Sequence, residues 1–349
     1  MLLITDTDNQ KAMEDKIRLH HGSGGLFMQK LIQDLFLKHF TNKTLHSLND
    51  SAILSLEPGK IAFTTDSYVV DPIFFPGGDI GKLAICGTVN DLAVSGAVPL
   101  YLSSSFILEE GFALADLETI VRSMAKAARE AGVVIVTGDT KVVPRGKADK
   151  VFINTAGIGH IERKNVHISR GHKTRPGDLV LINGTIGDHG MTLLNARGDF
   201  HFSSVLESDC TSLNSLIQPV LLNAGGIRFM RDATRGGLAA VLCEFAEKSG
   251  FGIEIDETKI PVKQEVKAMC ELLGFDPLTI ANEGKVVMVI DKRRSEKVLE
   301  IMKCNKKGKN SAVIGRIVED HKGKVRLKTS SGGSRWIDLP AGEQLPRIC

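Results

Sequence analysis

Aromatic side chains that could stack on nucleic-acid bases are scarce in this sequence, which has one Trp and two Tyr among its 349 residues. Proteins that bind single strands usually present several such platforms, so the composition argues against that class. The charges are nearly balanced, with 44 basic and 41 acidic residues. The densest basic stretch, residues 303–309, is interrupted by Cys304, Asn305 and Gly308. We interpret it as a solvated loop and expect no nucleic-acid partner.

Long apolar runs are also missing. The sequence has no run of the roughly eighteen apolar residues that a membrane-spanning helix requires, so it predicts none. The first twenty residues mix charges and lack the apolar centre of a signal peptide. The cysteines form no CxxC pair and no zinc-type spacing; they are Cys86, Cys210, Cys243, Cys270, Cys304 and Cys349. These absences are typical of a reduced, cytoplasmic protein of enzyme size.

Length and patterning predict two mixed α/β domains. The chain is too long for one ordinary core, and predicted strands and helices alternate in both halves. Pro176-Gly177-Asp178 interrupts the pattern between the halves. We therefore predict an N-terminal segment with a Gly-rich loop at residues 1–49, a first domain at 50–170, a second domain at 171–338 and a flexible tail at 339–349.

Hydrophobic periodicity predicts the individual elements. Helices are predicted at residues 25–40, 80–97, 114–131, 237–248, 262–273 and 295–304. Strands are predicted at residues 61–65, 101–108, 133–136, 151–161, 179–183, 252–255, 286–291 and 312–318.

The sequence ends in Pro346-Arg347-Ile348-Cys349. A cysteine in a terminal segment has two interpretations: an incidental surface thiol, or a nucleophilic sulfur that the tail carries to a site elsewhere. Two prolines and a glycine after Trp336 argue against regular structure in this tail. Extended, the ten residues after Leu339 would reach roughly 33 Å. The tail could therefore reach its own domain, the neighbouring domain or another subunit.

Several carboxylates follow or precede predicted strands. Asp66 and Asp139 each follow a strand, and Asp50 stands just before an apolar run. Strand ends are where α/β proteins collect ligand groups, and carboxylate oxygens with phosphates suit Mg²⁺. The alternative is that each Asp caps a turn.

Asp91, after Asn90, lies inside an apolar helical pattern, where a carboxylate is costly unless it is paired or metal-bound. For Asp91 a functional role is therefore favoured over a cap or kink of the helix.

Two glycine-rich segments could bind anions. His21-Gly22-Ser23-Gly24-Gly25 could present backbone N–H groups to phosphates. It is neither a Walker loop nor a dinucleotide fingerprint, and a flexible loop is an equal alternative. The segment 231–237, with Arg235, precedes a helix and offers free N–H groups and guanidinium donors. An ordinary helix start capped by Asp232 or Thr234 is the alternative.

Glu283 stands between Asn282 and Gly284, immediately before a predicted strand. A carboxylate held by a glycine turn could act as a general base. From the residues alone, a surface turn is the more common outcome for such a segment.

In order along the chain, these segments resemble the HypE family of hydrogenase maturation factors, within the PurM superfamily of ATP-dependent synthetases. The internal motifs are those of the superfamily, and the closing Pro-Arg-Ile-Cys is that of the family. Selenophosphate synthetases, which are relatives, carry a reactive Cys or selenocysteine near the glycine loop, whereas this sequence has no Cys before Cys86. The matching segments are 21–25, 64–67, 75–81, 89–92, 138–141, 231–237, 282–284 and 346–349.

The resemblance implies a specific activity. A HypF-type carbamoyltransferase would place a carbamoyl group on the Cys349 thiol, and this protein would use ATP to dehydrate the resulting thiocarboxamide to a thiocyanate. The cyano group would pass to iron on a HypC–HypD type complex and become a ligand of the NiFe hydrogenase centre. Superfamily relatives pair through their N-terminal domains, so the resemblance also implies a homodimer.

The resemblance also implies roles for particular residues. Cys349 carries the substrate, Glu283 is the candidate base, and Lys141 polarises the carboxamide or neutralises the developing phosphate. The predicted Mg²⁺ ligands are Asp50, Asp66, Asp91 and Asp139. The predicted ATP-binding residues are His21, Gly22, Ser23, Gly24, Gly25, Asp66, Asn90, Asp91, Thr140 and Arg235. Two alternatives remain open: an ATP-dependent enzyme of the same superfamily that acts on a free small molecule, and a non-catalytic maturation scaffold.

Overall fold

A computed structural model describes residues 16–23, 25–48, 51–198, 206–339 and 345–349. Both halves of the chain are mixed α/β structures, as the patterning predicts. In the described part of the chain, none of the helices combines the length and the apolar character that crossing a membrane requires.

The first half forms a four-stranded sheet covered on one face by helices. Its elements are α1 (Gly25–Leu31), a π-helical turn (Ile32–Leu37), α2 (Lys43–His46), β1 (Lys60–Tyr68), β2 (Phe74–Phe75), β3 (Gly78–Asp79), α3 (Ile80–Val94), β4 (Ala97–Glu109), α4 (Leu114–Ala131), β5 (Val134–Val143) and β6 (Val151–Ile161). The strand order is β1-β6-β4-β5, so β1 and β5 are the two edges of this sheet.

Helix α3 is the buried centre of the molecule. Asp79 caps its first turn, because the side chain accepts hydrogen bonds from the N–H groups of Gly81 (2.8 Å) and Lys82 (3.0 Å). Every residue of the helix is buried except Lys82 and Asp91. A helix that is apolar on nearly all sides needs neighbours all around; α3 packs on β1, β6 and α4. Asp91 therefore projects from an otherwise sealed helix.

The second half forms a seven-stranded sheet. Its elements are β7 (Leu179–Ile182), α5 (Asp188–Ala196), α6 (Asn214–Asn223), β8 (Ile227–Asp232), α7 (Gly237–Ser249), β9 (Gly252–Asp256), α8 (Gln264–Leu273), β10 (Val286–Ile290), α9 (Ser295–Lys303), β11 (Ala312–Val318), β12 (Val325–Lys328) and β13 (Ser334–Ile337). The order is β13-β12-β9-β11-β7-β10-β8, and β10 is buried along its whole length.

The two halves meet along α3. Asn90 donates a hydrogen bond from its amide to the Thr211 carbonyl (3.0 Å) and accepts one from the Leu213 N–H (2.7 Å). Ala93 and Val94 at the end of α3 pack in the same apolar cluster as α6 and β10. Asn90 was predicted to bind ATP; in the structure its amide joins the two halves, and its role in ATP binding stays a prediction.

Candidate functional site

Four acidic residues approach one another where β1, α3 and β8 meet the turn before β10. Asp66 lies on β1, Asp91 on α3 and Asp232 at the end of β8, while Glu283 precedes β10. Thr64 donates a hydrogen bond to Asp91 Oδ2 (2.8 Å). Burial, followed by the charge of Asp91, raises the pKa of Asp232 to about 7. Burial is also the main cause of the raised pKa of Asp91, and the Asp66 charge adds to it. These carboxylates share one electrostatic environment.

Glu283 is the most deeply buried carboxyl group of this site, with 3% of the residue exposed. Burial, and then the charges of Asp209 and Asp232, raise its pKa well above the usual range. Its Oε1 is buried without a hydrogen-bond partner among the described residues. Sequence reasoning favoured a surface turn on local grounds; the turn is instead internal. A buried, unsatisfied carboxyl oxygen is characteristic of a group that acts on something else.

Asp209 holds the turn that carries Glu283. Its carboxylate accepts hydrogen bonds from the N–H groups of Glu283 and Gly284, both at 3.1 Å, and from Lys285 Nζ at 2.8 Å. Burial works to raise the pKa of Asp209, but the charge and hydrogen bond of Lys285, together with the hydrogen bond from the Glu283 N–H, hold the pKa low. A Cβ on Gly284 would lie 2.0 Å from the Asp209 carbonyl oxygen, so only glycine fits this close approach.

The last residues of the chain lie at the same place. Ile348 is 3% exposed, and Cys349 is half-buried against the apolar cluster that contains Tyr68 and Cys86. The Val69 N–H donates to the Cys349 carbonyl at 3.0 Å. The charge of Glu283 acts on the same region, because it contributes to the raised pKa of Tyr68 after burial and the charge of Asp66. The Cys349 segment, hydrogen-bonded to Val69, and Glu283 therefore both lie in the neighbourhood of Tyr68.

A second group of predicted residues gathers at the opposite edge of the sheet. Gly22 lies so close to β5 that a Cβ there would be 2.4 Å from the Val142 nitrogen. Asp139 Oδ1 accepts from Lys141 Nζ (2.7 Å) and from the Thr140 N–H (2.8 Å). The hydrogen bond from Lys141 is the main cause of the lowered pKa of Asp139. The glycine loop and the end of β5 therefore form one continuous surface.

An open cavity of about 220 Å³ adjoins this surface. It is lined largely by apolar side chains of α1, the π-helical turn and β5, with Asp139 and Thr140 at its margin. An apolar cavity with a few polar groups at its rim is typical of a small-molecule binding pocket. His21, Ser23 and Gly25 lie in the segment that leads into α1, whereas Gly24 lies outside the described residues.

The structure separates the predicted Mg²⁺ ligands. Asp66 pairs with Thr155 on β6, Thr155 with Ser104 on β4, and Ser104 with Gly138 on β5. Asp66 and Asp139 are thus three strand spacings apart, roughly 14 Å. Asp50 lies outside the described residues. Among those described, no group of three or more His, Cys, Asp or Glu side chains is arranged to hold a metal ion. Asp66 and Asp139 do not meet within one chain, and the metal-binding role of the predicted ligands stays a prediction.

The candidate catalytic pair is divided in the same way. Lys141 is an exposed residue of β5, beside Asp139, whereas Glu283 is buried beyond the opposite edge of the sheet. Arg235, the other predicted anion-binding residue, is exposed in the turn before α7. Local sequence gives no strand order, so it could not reveal this division.

Sequence reasoning missed four residues that shape the site: Tyr68, His189, Arg197 and Asp209. His189 and Arg197 stand at the two ends of α5, a helix that was not predicted, and both contact the C-terminal tail. Asp209 lies in a segment without periodicity. One sequence signal could have pointed to Asp209. Lys285 stands beside an apolar strand that is expected to be buried, and a buried lysine requires an acidic partner.

Comparison with known proteins gives consistent matches. Residues 48–161 match the N-terminal domain, and residues 175–328 the C-terminal domain, of the family described as AIR synthase related protein. The carbamoyl dehydratase HypE of Escherichia coli K12 is 52% identical over 340 residues, covering 96% of this chain and 100% of that protein. A crystal structure of the hydrogenase maturation protein HypE in complex with ATP matches with a TM-score of 0.91 at 49% identity, covering 95% of this chain and 99% of that one.

A crystal structure of a HypE–HypF complex also matches. Its TM-score is 0.77 at 49% identity, and the match covers 89% of this chain and 99% of that chain.

Proposed function

Because this chain belongs to the HypE family of AIR synthase related proteins, we propose that its site dehydrates an S-carboxamide on Cys349 to a thiocyanate. The protein is an ATP-dependent carbamoyl dehydratase of hydrogenase maturation. The thiocyanate would supply the cyanide ligand for the iron of NiFe hydrogenase. The observation that carries the proposal is that Cys349 is hydrogen-bonded to Val69, next to Tyr68, the tyrosine whose pKa is also raised by the charge of the buried Glu283.

The reaction balances as a phosphorylation followed by an elimination. The carboxamide oxygen attacks the γ-phosphorus of ATP, and ADP leaves. The C–O bond then breaks with its electron pair on phosphate, the nitrogen loses both protons, and S–C≡N remains. Phosphorylation is required because an amide oxygen is otherwise a poor leaving group. The protein must therefore position the phosphoryl acceptor and remove protons from nitrogen.

Glu283 is suited to accept a proton from the carboxamide nitrogen. Its environment raises its pKa, so the ionised carboxylate is a stronger base than one in water. Asp209 and Lys285 fix the turn that holds it. Water is largely excluded, since Glu283, Ile348 and Tyr68 are all buried. Exclusion of water protects the phosphorylated intermediate from hydrolysis.

The glycine loop and β5 are proposed to bind ATP. The apolar cavity would take the base, while the glycine-rich loop and the Lys141 ammonium would meet the anionic phosphates. The donor set of Asp66, Asp91 and Asp139 consists of hard oxygens, which fits Mg²⁺. When bound, Mg²⁺ would neutralise charge on the transferring phosphoryl group.

A homodimer would bring the two groups of residues together. The outer face of the first sheet exposes apolar side chains, among them Ile61, Phe63, Ile107 and Val134. A second copy packed on this face would cover them. If the two-fold axis runs along the strands, β1 of one copy faces β5 of the other. Asp66, Asp91 and Glu283 of one chain would then share a site with Asp139 and Lys141 of its partner.

The proposed partners are a HypF-type carbamoyltransferase and a HypC–HypD type complex. The first would load Cys349, and the HypE–HypF complex of a 49% identical relative supports it. The second would accept the cyano group. A free small-molecule substrate is disfavoured, because the C-terminal residues of this chain pack into the same apolar cluster as Tyr68.

Mass spectrometry of the C-terminal peptide tests the proposal. Protein carbamoylated at Cys349 by its HypF-type partner is incubated with and without Mg-ATP. We expect the peptide that carries Cys349 to lose the mass of one water molecule only in the sample with Mg-ATP. We expect no modification of the peptide in Cys349→Ser. A carbamoylated peptide whose mass stays constant with Mg-ATP would show that the reaction does not occur at this residue.

A further inference from the structure

Each backbone carbonyl of the last four residues accepts a hydrogen bond from the body of the protein. Arg197 donates to the Pro346 oxygen (2.5 Å) and to the Arg347 oxygen (2.9 Å). His189 Nε2 lies 2.7 Å from the Ile348 oxygen, and the Val69 N–H is 3.0 Å from the Cys349 oxygen. Consecutive carbonyls held by different donors define one register of the tail.

The imidazole of His189 is oriented by its second nitrogen. A carbonyl oxygen only accepts hydrogen bonds, so Nε2 carries the proton towards Ile348. Nδ1 then accepts from the Ser208 hydroxyl at 2.7 Å. The backbone N–H of Ser208 donates to the Pro76 carbonyl at 2.9 Å, which ties this contact to the first half of the chain. His189 is fully buried, and burial lowers its pKa, which favours this neutral tautomer.

Arg197 forms a bridge at the other end of α5. Besides its two contacts with the tail, its Nε donates to the Asp71 carbonyl at 2.9 Å. Asp71 follows β1, and its own N–H donates to the Arg347 oxygen at 3.3 Å. The guanidinium therefore connects the loop after β1, helix α5 and the tail. Planar, forked donors such as Arg suit this simultaneous recognition of several oxygens.

Side-chain packing favours the same register. Leu345 and Ile348 are both buried, and a Cβ on Gly190 would lie 3.2 Å from a Leu345 methyl group. A shift of the tail by one residue would take Leu345 and Ile348 out of their buried positions and move the sulfur by up to about 3.3 Å. A displacement of that size is enough to misalign a reacting group.

We infer that His189, together with Arg197, is a positioning residue that holds the tail in one register and so places the Cys349 side chain against the apolar cluster that contains Tyr68. The inference rests on the proposed function, since it gives the position of the group on which the chemistry occurs. Neither side chain needs to touch the carboxamide. Both act through the backbone oxygens of residues 346–348.

Alkylation of Cys349 tests this inference without any catalytic step. The rate of reaction with iodoacetamide is followed by mass spectrometry of the C-terminal peptide in the full-length protein. The variants are His189→Ala, His189→Gln, which keeps a donor at a similar reach, and Arg197→Met. Arg316→Met is the matched control, because Arg316 pairs with Glu254 on the far sheet and is remote from the tail. Thermal unfolding of each variant is recorded alongside.

We expect Cys349 to react about fivefold to tenfold faster in His189→Ala and Arg197→Met, because each loses hydrogen bonds that hold the tail. His189→Gln should restore a rate within about twofold of the unsubstituted protein, as should Arg316→Met. Arg197 is partly exposed, so its substitution tests the inference even if His189→Ala fails to fold.

Two outcomes overturn the inference. One is an unchanged alkylation rate in both His189→Ala and Arg197→Met. The other is an alkylation rate that is as high in His189→Gln as in His189→Ala, which would indicate a packing role for the ring. Failure of the proposed function has a different signature: carbamoylated unsubstituted protein yields no thiocyanate, whatever the alkylation rates of the variants.

Discussion

Lys285 Nζ lies 2.8 Å from Asp209 Oδ2, and both side chains are buried, with 9% and 4% exposed. This ion pair stands directly beneath Glu283, because Asp209 also accepts the Glu283 and Gly284 N–H groups. A buried pair contributes little over an apolar contact, but removing one partner leaves an uncompensated charge. The pair is therefore a support for the turn that presents Glu283.

Lys285→Met is expected to lower the free energy of unfolding by about 3–5 kcal/mol, because it leaves Asp209 buried without its cation. Urea denaturation measures the change. Lys126→Met is the control: Lys126 forms an exposed pair with Glu130 at 4.0 Å, and its loss should cost about 0.5 kcal/mol or less. Adding Asp209→Asn to Lys285→Met should recover part of the stability. Equal effects of Lys285→Met and Lys126→Met would contradict the supporting role.

Glu283→Gln is expected to slow thiocyanate formation by about 10²–10⁴-fold while leaving the affinity for ATP within about twofold. The amide keeps the shape of the side chain but cannot accept the proton. Single-turnover mass spectrometry measures the rate, and nucleotide titration measures the affinity. If ATP affinity fell as far as the rate, Glu283 would be a binding residue and its assignment as the base would be wrong.

The elements with strong local patterns could be predicted from sequence. Helix α4 and strand β6 have the predicted bounds, since an amphipathic stripe and an alternating pattern are properties of neighbouring residues. The helix predicted at 80–97 ends at Val94, because Gly96 adopts φ +90° and turns the chain into β4. Helix α5 was missed: Asp188, His189 and Thr192 are buried polar residues there, and they obscure the apolar stripe.

The sequence patterns point to individual residues but not to their arrangement. Asp66, Asp91 and Asp139 were predicted to act together as Mg²⁺ ligands, yet Asp139 lies at the opposite edge of the sheet from Asp66. That separation arises because β6 and β4 lie between β1 and β5, and such long-range pairing has no local signature. The contacts of the tail depend likewise on α5 and on the loop after β1.

Asp232 gives the protein a pH dependence of defined sign. Burial and the Asp91 charge raise its pKa from 3.8 to about 7 in the folded protein. Folding thus favours the neutral form of Asp232. Its contribution to the free energy of unfolding is fully present below about pH 4 and is lost as the pH rises to about 7. The slope from one group is at most about 1.4 kcal/mol for each pH unit.

The comparison with Asp232→Asn isolates this contribution. Free energies of unfolding are measured at pH 5 and pH 8 without nucleotide or metal. The unsubstituted protein should lose more stability than Asp232→Asn over this interval, because the amide does not titrate. The difference removes the contribution of His189, which both variants share. Parallel pH profiles would show that Asp232 titrates in its ordinary range.

Mixing two inactive variants tests whether the site is built from two chains. Glu283→Gln disables one group of residues, and Lys141→Met disables the other. In a mixed dimer with shared sites, one site carries both substitutions and the other carries neither. Random exchange of subunits should therefore restore about a quarter of the unsubstituted activity, since half of the dimers are mixed and each has one intact site. Thiocyanate formation after subunit exchange measures the recovery.

A pair of variants from the same group is the control. Glu283 and Asp66 both lie at the β1 edge, so mixing Glu283→Gln with Asp66→Asn leaves one defect in every site of a mixed dimer. That mixture should remain inactive. If thiocyanate formation recovers only in the mixture of Glu283→Gln with Lys141→Met, then Lys141 on β5 of one chain must share a site with Glu283 of the other chain. Absence of recovery in both, with subunit exchange demonstrated, would mean that Lys141 and Glu283 serve the same chain. The roughly 14 Å between the sheet edges would then have to be closed by a rearrangement within that chain.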